Sequence, residues 1–299
     1  MIMWLMTIIE FLSPLGRGCP RQEQTSIPLQ PAILKRELNK NATRSLEEKV
    51  RFWSGLFLDA PYGVDPMGED QPPDTDPVVE ICLFDCETYV ELVLALAFSG
   101  SPEDVVRWLD RMRYIDAERS INHRFYTMAL HWIPGNEKLG YLKQEILHPY
   151  GLISRQVHPA GRWWPSHKER FRLLGEHAPS GNAEVRYNSI DVLIEKEKSI
   201  PTPSLAFLVG AKQNGNPFLI THMGFILKDE AGKTIFRHAS RTPGRQKVEE
   251  RVLSDYLRSL GRFFNNPDNP RRPLLGMSLY RIVEPSQATK QGVAGGGAR

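Results

Sequence analysis

A chain of 299 residues, 41% hydrophobic and 24% charged, has the composition of a soluble globular protein, which excludes the disordered and fibrous classes. Its length fits one large domain or two small ones. The net charge is +3, and the 38 Lys and Arg are spread along the chain, without the dense basic runs of a nucleic-acid arm, so no nucleic-acid partner is expected.

The three cysteines, Cys19, Cys82 and Cys86, are too few for a disulfide framework, and their odd number leaves at least one thiol free. Cys82 and Cys86 have the spacing of half a zinc site. The eight histidines supply no second pair at the usual H-x3-5-H spacing, so neither a metal nor a cofactor is expected.

The chain opens with the apolar stretch "MIMWLMTIIEFLSPLGRGC", of signal-peptide length but without a basic start and with Glu10 inside it. It is shorter than the ~20 residues of a comfortable membrane span. It reads as an altered export signal or an apolar tail; no integral membrane span is expected, and the periplasm or cell envelope is favoured over the cytoplasm. Residues 20–45 have no clear period and read as a linker, which places residues 1–45 outside a domain spanning 46–285, with 286–299 as a flexible tail. "SLEEKVRFWSGLFLD" (Ser45 to Asp59) opens with a capping box, Ser45 and Glu48, and then carries Val50, Trp53 and Phe57 at helical spacing. The Pro-, Gly- and Asp-rich residues 60–77 predict an irregular loop leading to a short strand, "VVEICLF", over 78–84.

Asp85 is a preferred cap residue, and "CETYVELVLALA" contains no breaker before Ser99 and Gly100, so a helix starts at Cys86. Residues 101–150 look helical, and 151–187, with "PAGRWWPSHKERF", show no usable period; together they form a helical and irregular insertion over about 101–187. After it, "SLAFLVGAK", "PFLITHMGFILK", "KTIFRHAS" and "SLYRIV" read as strands separated by turn signals. Helices first and antiparallel strands later define an α+β fold.

The chemistry centres on Cys86. In the first turn of a helix, unpaired N–H groups and the positive end of the dipole favour a thiolate. Alone, such a cysteine is as well explained as a small buried hydrophobe. Two histidines shift the balance. His222 lies in an apolar strand and shares a face with Gly224 and Ile226. His238 follows sixteen residues later across "DEAGK". A hairpin without a bulge, centred on Glu230, sets the two histidines face to face, so that one can orient the other. His238 alone reads as a surface strand-end histidine.

"FDCETYVELVLAL", "ITHMGFIL" and "FRHAS", with "GLFLDAPYGVD" before them and "INHRFYTMALHWIPGN" between, resemble the N-acetylmuramoyl-L-alanine amidase-like family, a former domain of unknown function. More broadly they resemble the NlpC/P60-type papain-like cysteine peptidases. The resemblance spans about Leu46 to Val283. It implies a papain-like core in which the nucleophile helix packs on an antiparallel sheet. It also implies Cys86 as nucleophile, His222 as base and His238 as polar third member. Asp85 would cap the helix or bind a substrate amine, Tyr62 would contact substrate, and Arg124, Trp132 and Asn136 would line or support the cleft. The substrate class implied is peptidoglycan or a muropeptide, cleaved at an amide bond with the Cys86 N–H helping to hold the oxyanion. The alternatives are a non-catalytic binding module that keeps the fold, and an acyltransferase that passes the same thioester to another acceptor.

Overall fold

The computed structural model describes residues 31–157, 172–211, 218–266, 273–286 and 289–290; the apolar N-terminal stretch and the whole of "PAGRWWPSHKERF" lie outside them. The helices are α1 (Pro31–Asn41), α2 (Leu46–Leu56), α3 (Cys86–Phe98), α4 (Pro102–Arg113), α5 (Ile133–Lys138), α6 (Ile190–Glu195) and α7 (Leu253–Phe264). The strands are β1 (Leu142–Glu145), β2 (Gly151–Val157), β3 (Gly181–Tyr187), β4 (Ser204–Gly210), β5 (Ile220–Lys228), β6 (Thr234–Ala239), β7 (Val248–Val252) and β8 (Leu274–Ile282). The chain forms two compact units. The first contains the described residues of 1–110, 237–250 and 284–299, and the second those of 111–236 and 251–283. No described helix is long and apolar enough to cross a membrane.

In the first unit, α1 occupies residues read as linker. Leu34 and Leu38, one turn apart, are buried on one face. The helix at α2 forms as expected. Ser45 accepts from Glu48 N, the Glu48 carboxylate returns to Ser45 N at 2.8 Å, and Val50, Trp53 and Leu56 point inward. Helix α3 also starts where the sequence places it, with Asp85 at its cap and every residue from Thr88 to Phe98 buried.

The expected strand over 78–84 does not form. Glu80 Oε1 accepts from Ile81 N at 2.7 Å and Cys82 N at 2.6 Å. This local bonding offers the backbone an alternative to a ladder. Only Phe84 keeps extended pairing, as a parallel bridge to Tyr62.

In the second unit, four antiparallel strands lie in the order β1-β8-β4-β5. One face presents Ala206, Leu208, Ile226, Phe236, Met277 and Leu279 to Leu193 of α6 and Leu253, Tyr256 and Leu257 of α7. The other face buries Phe207 with the Trp132 ring 5.9 Å away and Tyr280 5.5 Å away. The stretch read as helical to about 150 is interrupted: after α4 come short 3-10 turns, a π turn over Met128–Trp132, the brief α5, and then β1. The region read as irregular holds an antiparallel ladder, with β2 pairing β3 from Gly151↔Tyr187 to Val157↔Gly181. Its weak alternation hides it, since most of β2 is only partly buried.

The β5–β6 turn closes differently from expectation. Asp229 N donates to Lys233 O at 2.9 Å and Gly232, at φ 78°, donates back to Asp229 O at 3.0 Å. The turn is therefore centred on Ala231, not Glu230. This offset moves the pairing by two residues and leaves side-chain parity unchanged, because strands alternate with period two.

Candidate active site

Three hydrogen-bonded segments of the first unit build the surroundings of Cys86. Phe84 N donates to Pro61 O at 3.0 Å, and Gly63 N donates to Phe84 O at 2.9 Å. The same 59–63 segment is tied on its other side, with Tyr62 N donating to Gln246 O at 2.9 Å and Val248 N to Ala60 O at 2.8 Å. Beneath them Phe57, Phe84 and Tyr89 stack edge to face, at 4.9 and 5.8 Å. The lead-in to the nucleophile helix is thus held between the loop carrying Tyr62 and the β6–β7 connection.

Asp85 closes this lead-in. Its Oδ1 accepts from Glu87 N at 3.0 Å, Thr88 N at 2.8 Å and Thr88 Oγ1 at 2.9 Å, while Thr88 Oγ1 accepts from Asp85 N at 3.1 Å. All the cap bonds fall on Oδ1. Burial pushes the Asp85 carboxyl up from its ordinary range, the cap bonds oppose that, and the nearby Asp65 charge adds to it.

Cys86, the first helical residue, is a half-buried thiol outside any disulfide. The Tyr62 phenol is half-buried and its pKa is pushed up, first by burial and then by the neighbouring Cys86 and Asp85 side chains, with Arg241 opposing. Tyr62, Asp85, Cys86 and Arg241 therefore form one electrostatic neighbourhood. Tyr62 is an O–H donor there at any physiological pH.

His238 is in the first unit as well, buried on β6, with its Nε2 3.6 Å from Glu249 Oε1. The surface strand-end reading of His238 is overturned by that burial. Beside it, Arg237 is pinned on all sides: Nε donates to Glu250 Oε2 at 2.8 Å, Nη2 donates to the same oxygen, and Nη1 donates to Arg51 O at 2.9 Å and Ser54 Oγ at 2.6 Å.

His222 belongs to the second unit. It pairs with Leu208 on β4, and the register shifts immediately afterwards, with Val209 opposite Ile220. Thr221 is therefore the extra residue of a β-bulge, a device that re-aims neighbouring side chains. Burial alone holds the His222 imidazole down to about 4, so it is neutral near pH 7. Its ring lies 6.3 Å from Phe236 on the face lined by Ala206 and Gly224.

The three remaining expected residues are also in the second unit. Trp132 is fully buried against Phe207. Asn136 is fully buried and saturated, its Nδ2 donating to Met112 O at 3.0 Å and Trp132 O at 2.7 Å and its Oδ1 accepting from Tyr141. Both occupy the sheet face opposite to that of His222, a supporting placement. Arg124 is 4% exposed and bridges Tyr114. Among the described residues no group of three or more His, Cys, Asp or Glu is arranged to hold a metal. The sequence reading missed Glu249, Glu250 and Arg241. The pairing of "FRH" with "EER" was the available signal, hidden because β7 was not recognised as a strand.

The architecture is a mixed α+β fold with an antiparallel sheet and a thiol outside any disulfide at the start of a buried helix, the class of an amidase-like hydrolase. The model of the N-acetylmuramoyl-L-alanine amidase-like family matches residues 52–261, and the chain belongs to that family. A crystal structure of a Legionella pneumophila protein assigned to the DUF1460 family is similar with TM-score 0.71 and 21% identity, over 86% of this chain and 95% of that one. A crystal structure of an N-acetylmuramoyl-L-alanine amidase from Bacteroides uniformis is similar with TM-score 0.55 and 20% identity, over 79% of this chain and 98% of that one. At these identities the likeness concerns the fold. No curated protein matches the chain.

Proposed function

We propose that the protein is a cysteine-dependent amidase or peptidase of NlpC/P60 type that hydrolyses an amide bond in peptidoglycan or its muropeptides. The observation that carries this reading is the Cys86 thiol, outside any disulfide, in the first turn of a buried helix, with the single-sided cap Asp85 next to it. Cys86 Sγ attacks the amide carbonyl carbon, and His222, neutral near pH 7, takes the thiol proton and delivers it to the leaving amine. The N-terminal end of α3, with the Cys86 N–H, stabilises the oxyanion. Water then attacks the thioester and restores the thiol. His238 orients His222. Asp85, whose cap bonds all use Oδ1, offers its other oxygen to a substrate ammonium, whose charge favours the ionised carboxylate.

Mass spectrometry of muropeptides after incubation with the protein and with Cys86→Ala tests the reading. New cleavage products are expected with the wild type alone. Identical product profiles for the two proteins overturn it.

A further inference from the structure

The β6–β7 connection runs beside the loop that leads to Cys86, and its register fixes which residues stand opposite one another. Ser240 N donates to Lys247 O at 2.8 Å, which sets Arg241 opposite Gln246 at the mouth of the turn that Arg245 N closes on Thr242 O at 2.9 Å. On its other side Gln246 O accepts from Tyr62 N at 2.9 Å, and the neighbouring Pro61 bridges Lys247. Tyr62 in turn bridges Phe84, two residues before the nucleophile. Arg241, Gln246 and Tyr62 therefore follow one another across three adjacent segments, and residues directly opposite in such a ladder share a face. With segments about 4.8 Å apart, Arg241 and Tyr62 start about 10 Å from each other, within the combined reach of the two side chains. The Arg241 charge accordingly opposes the rise in the Tyr62 pKa that burial, Cys86 and Asp85 cause. The other cations of the connection are engaged: Arg245 Nη1 lies 3.5 Å from Glu249 Oε2, and Lys247 Nζ pairs with Asp59. Arg241 is exposed, and among the described residues no acid lies within ion-pair distance of it.

We propose that Arg241 is a substrate-binding residue which, with the Tyr62 hydroxyl, takes a carboxylate of the substrate beside Cys86, an inference that rests on the proposed reading of Cys86 as nucleophile. A guanidinium presents a planar fork of N–H donors that matches a carboxylate, and it stays charged at any physiological pH. The Tyr62 O–H adds a neutral donor from the same face. Asp85 and its neighbour Asp65 repel an anion, so Arg241 is what makes room for one. The site then has a place for each sign, Asp85 for an ammonium and Arg241 for a carboxylate. A substrate that carries both, as a peptide with a free amine and a free carboxylate does, is held in one direction, since turning it round sets like charges together.

The test uses two alkylating probes on the full-length protein, iodoacetate with its carboxylate and neutral iodoacetamide, read at Cys86 by peptide mass spectrometry. The Cys86 sulfur displaces iodide from either reagent, so the ratio of the two rates cancels any change in the thiol itself and leaves the preference for a carboxylate. At low salt Arg241→Gln is expected to lower the iodoacetate-to-iodoacetamide ratio about fivefold, the factor for one pair of unit charges about 4 Å apart in water. Arg241→Lys should keep part of the ratio, and added salt should shrink the wild-type preference. Arg245→Gln removes a cation of the same turn that is already engaged by Glu249, and should leave the ratio unchanged. With a muropeptide as substrate, Arg241→Gln should raise KM with kcat nearly constant, and amidating the muropeptide's carboxylates should raise the wild-type KM but not that of the variant. Equal ratios in the wild type and Arg241→Gln, or an equal drop in Arg245→Gln, overturn the inference. Turnover that survives Cys86→Ala instead sinks the proposed function, and the alkylation ratio still decides whether a carboxylate is held beside Cys86.

Discussion

At the level of single residues, the placement of Cys86 separates chemistry from packing. The thiol begins α3 and is half-buried, while the apolar mass of the helix starts at Thr88. Cys86→Ala should therefore abolish turnover and leave the circular dichroism spectrum and melting temperature of the wild type; a collapsed spectrum would return Cys86 to the role of core hydrophobe. His222→Ala should lose the general-base contribution, typically ~10²- to 10⁴-fold, whereas His238→Gln should keep a measurable part, because a glutamine oxygen can still accept from the base. Equal and complete loss in His238→Gln would mean that His238 does more than orient. Cys86 and Asp85 were legible because a cap and the first turn of a helix lie next to each other in sequence. Glu249 was not, because its partner is eleven residues away, across a strand with no clear alternation of its own.

Among the elements, α3 and the β6–β7 pair depend on different kinds of bonding. Asp85→Ala removes three acceptor bonds from the start of α3 and should cost about 1 kcal/mol, the usual value of an N-cap; Asp85→Asn should recover most of it in urea denaturation. Arg237→Ala is expected to cost more, about 3 kcal/mol, the lower end for breaking a buried ion pair, since its partner Glu250 is partly exposed and can be rehydrated. A loss below about 1 kcal/mol would show that the Arg237 network is incidental to stability. The segment 78–84 shows where periodicity misleads: its apolar residues are buried as a strand's would be, yet the Glu80 side chain claims the amides that a ladder needs. Burial and hydrogen-bonding pattern are separate choices, and composition reports mainly the first.

For the molecule as a whole, two half-buried histidines set the response to acid. Burial holds both His222 and His131 down to about 4 from an ordinary 6.5, with the His177 charge adding to the effect at His131. The unfolded chain binds those protons at higher pH than the folded one, so their contribution favours folding less and less as pH falls from about 6.5 towards 4. Asp85, with its carboxyl raised, works in the opposite direction at the acid end. Urea midpoints should therefore drop between pH 7 and pH 4.5, and His131→Gln should flatten the drop. An unchanged slope in that variant would mean that His131 titrates normally in the folded protein.

What the sequence determined by itself is local: the capping box of α2, the start of α3 at Cys86, the strands β4, β5, β6 and β8, and the α+β order of elements. Each follows from bonds or hydrophobic contacts within a few residues, where chain entropy leaves little to decide. What only the tertiary structure decided is non-local. It placed helix α1 in the expected linker, made strands β2 and β3 from a stretch without a period, and put a bulge at Thr221. It also buried Trp132 and Asn136 on the sheet face away from His222, and set Arg237 and His238 against Glu250 and Glu249. Such pairings are chosen by the summed packing of distant segments, and a partly buried strand without regular apolar alternation carries no local mark of its partner.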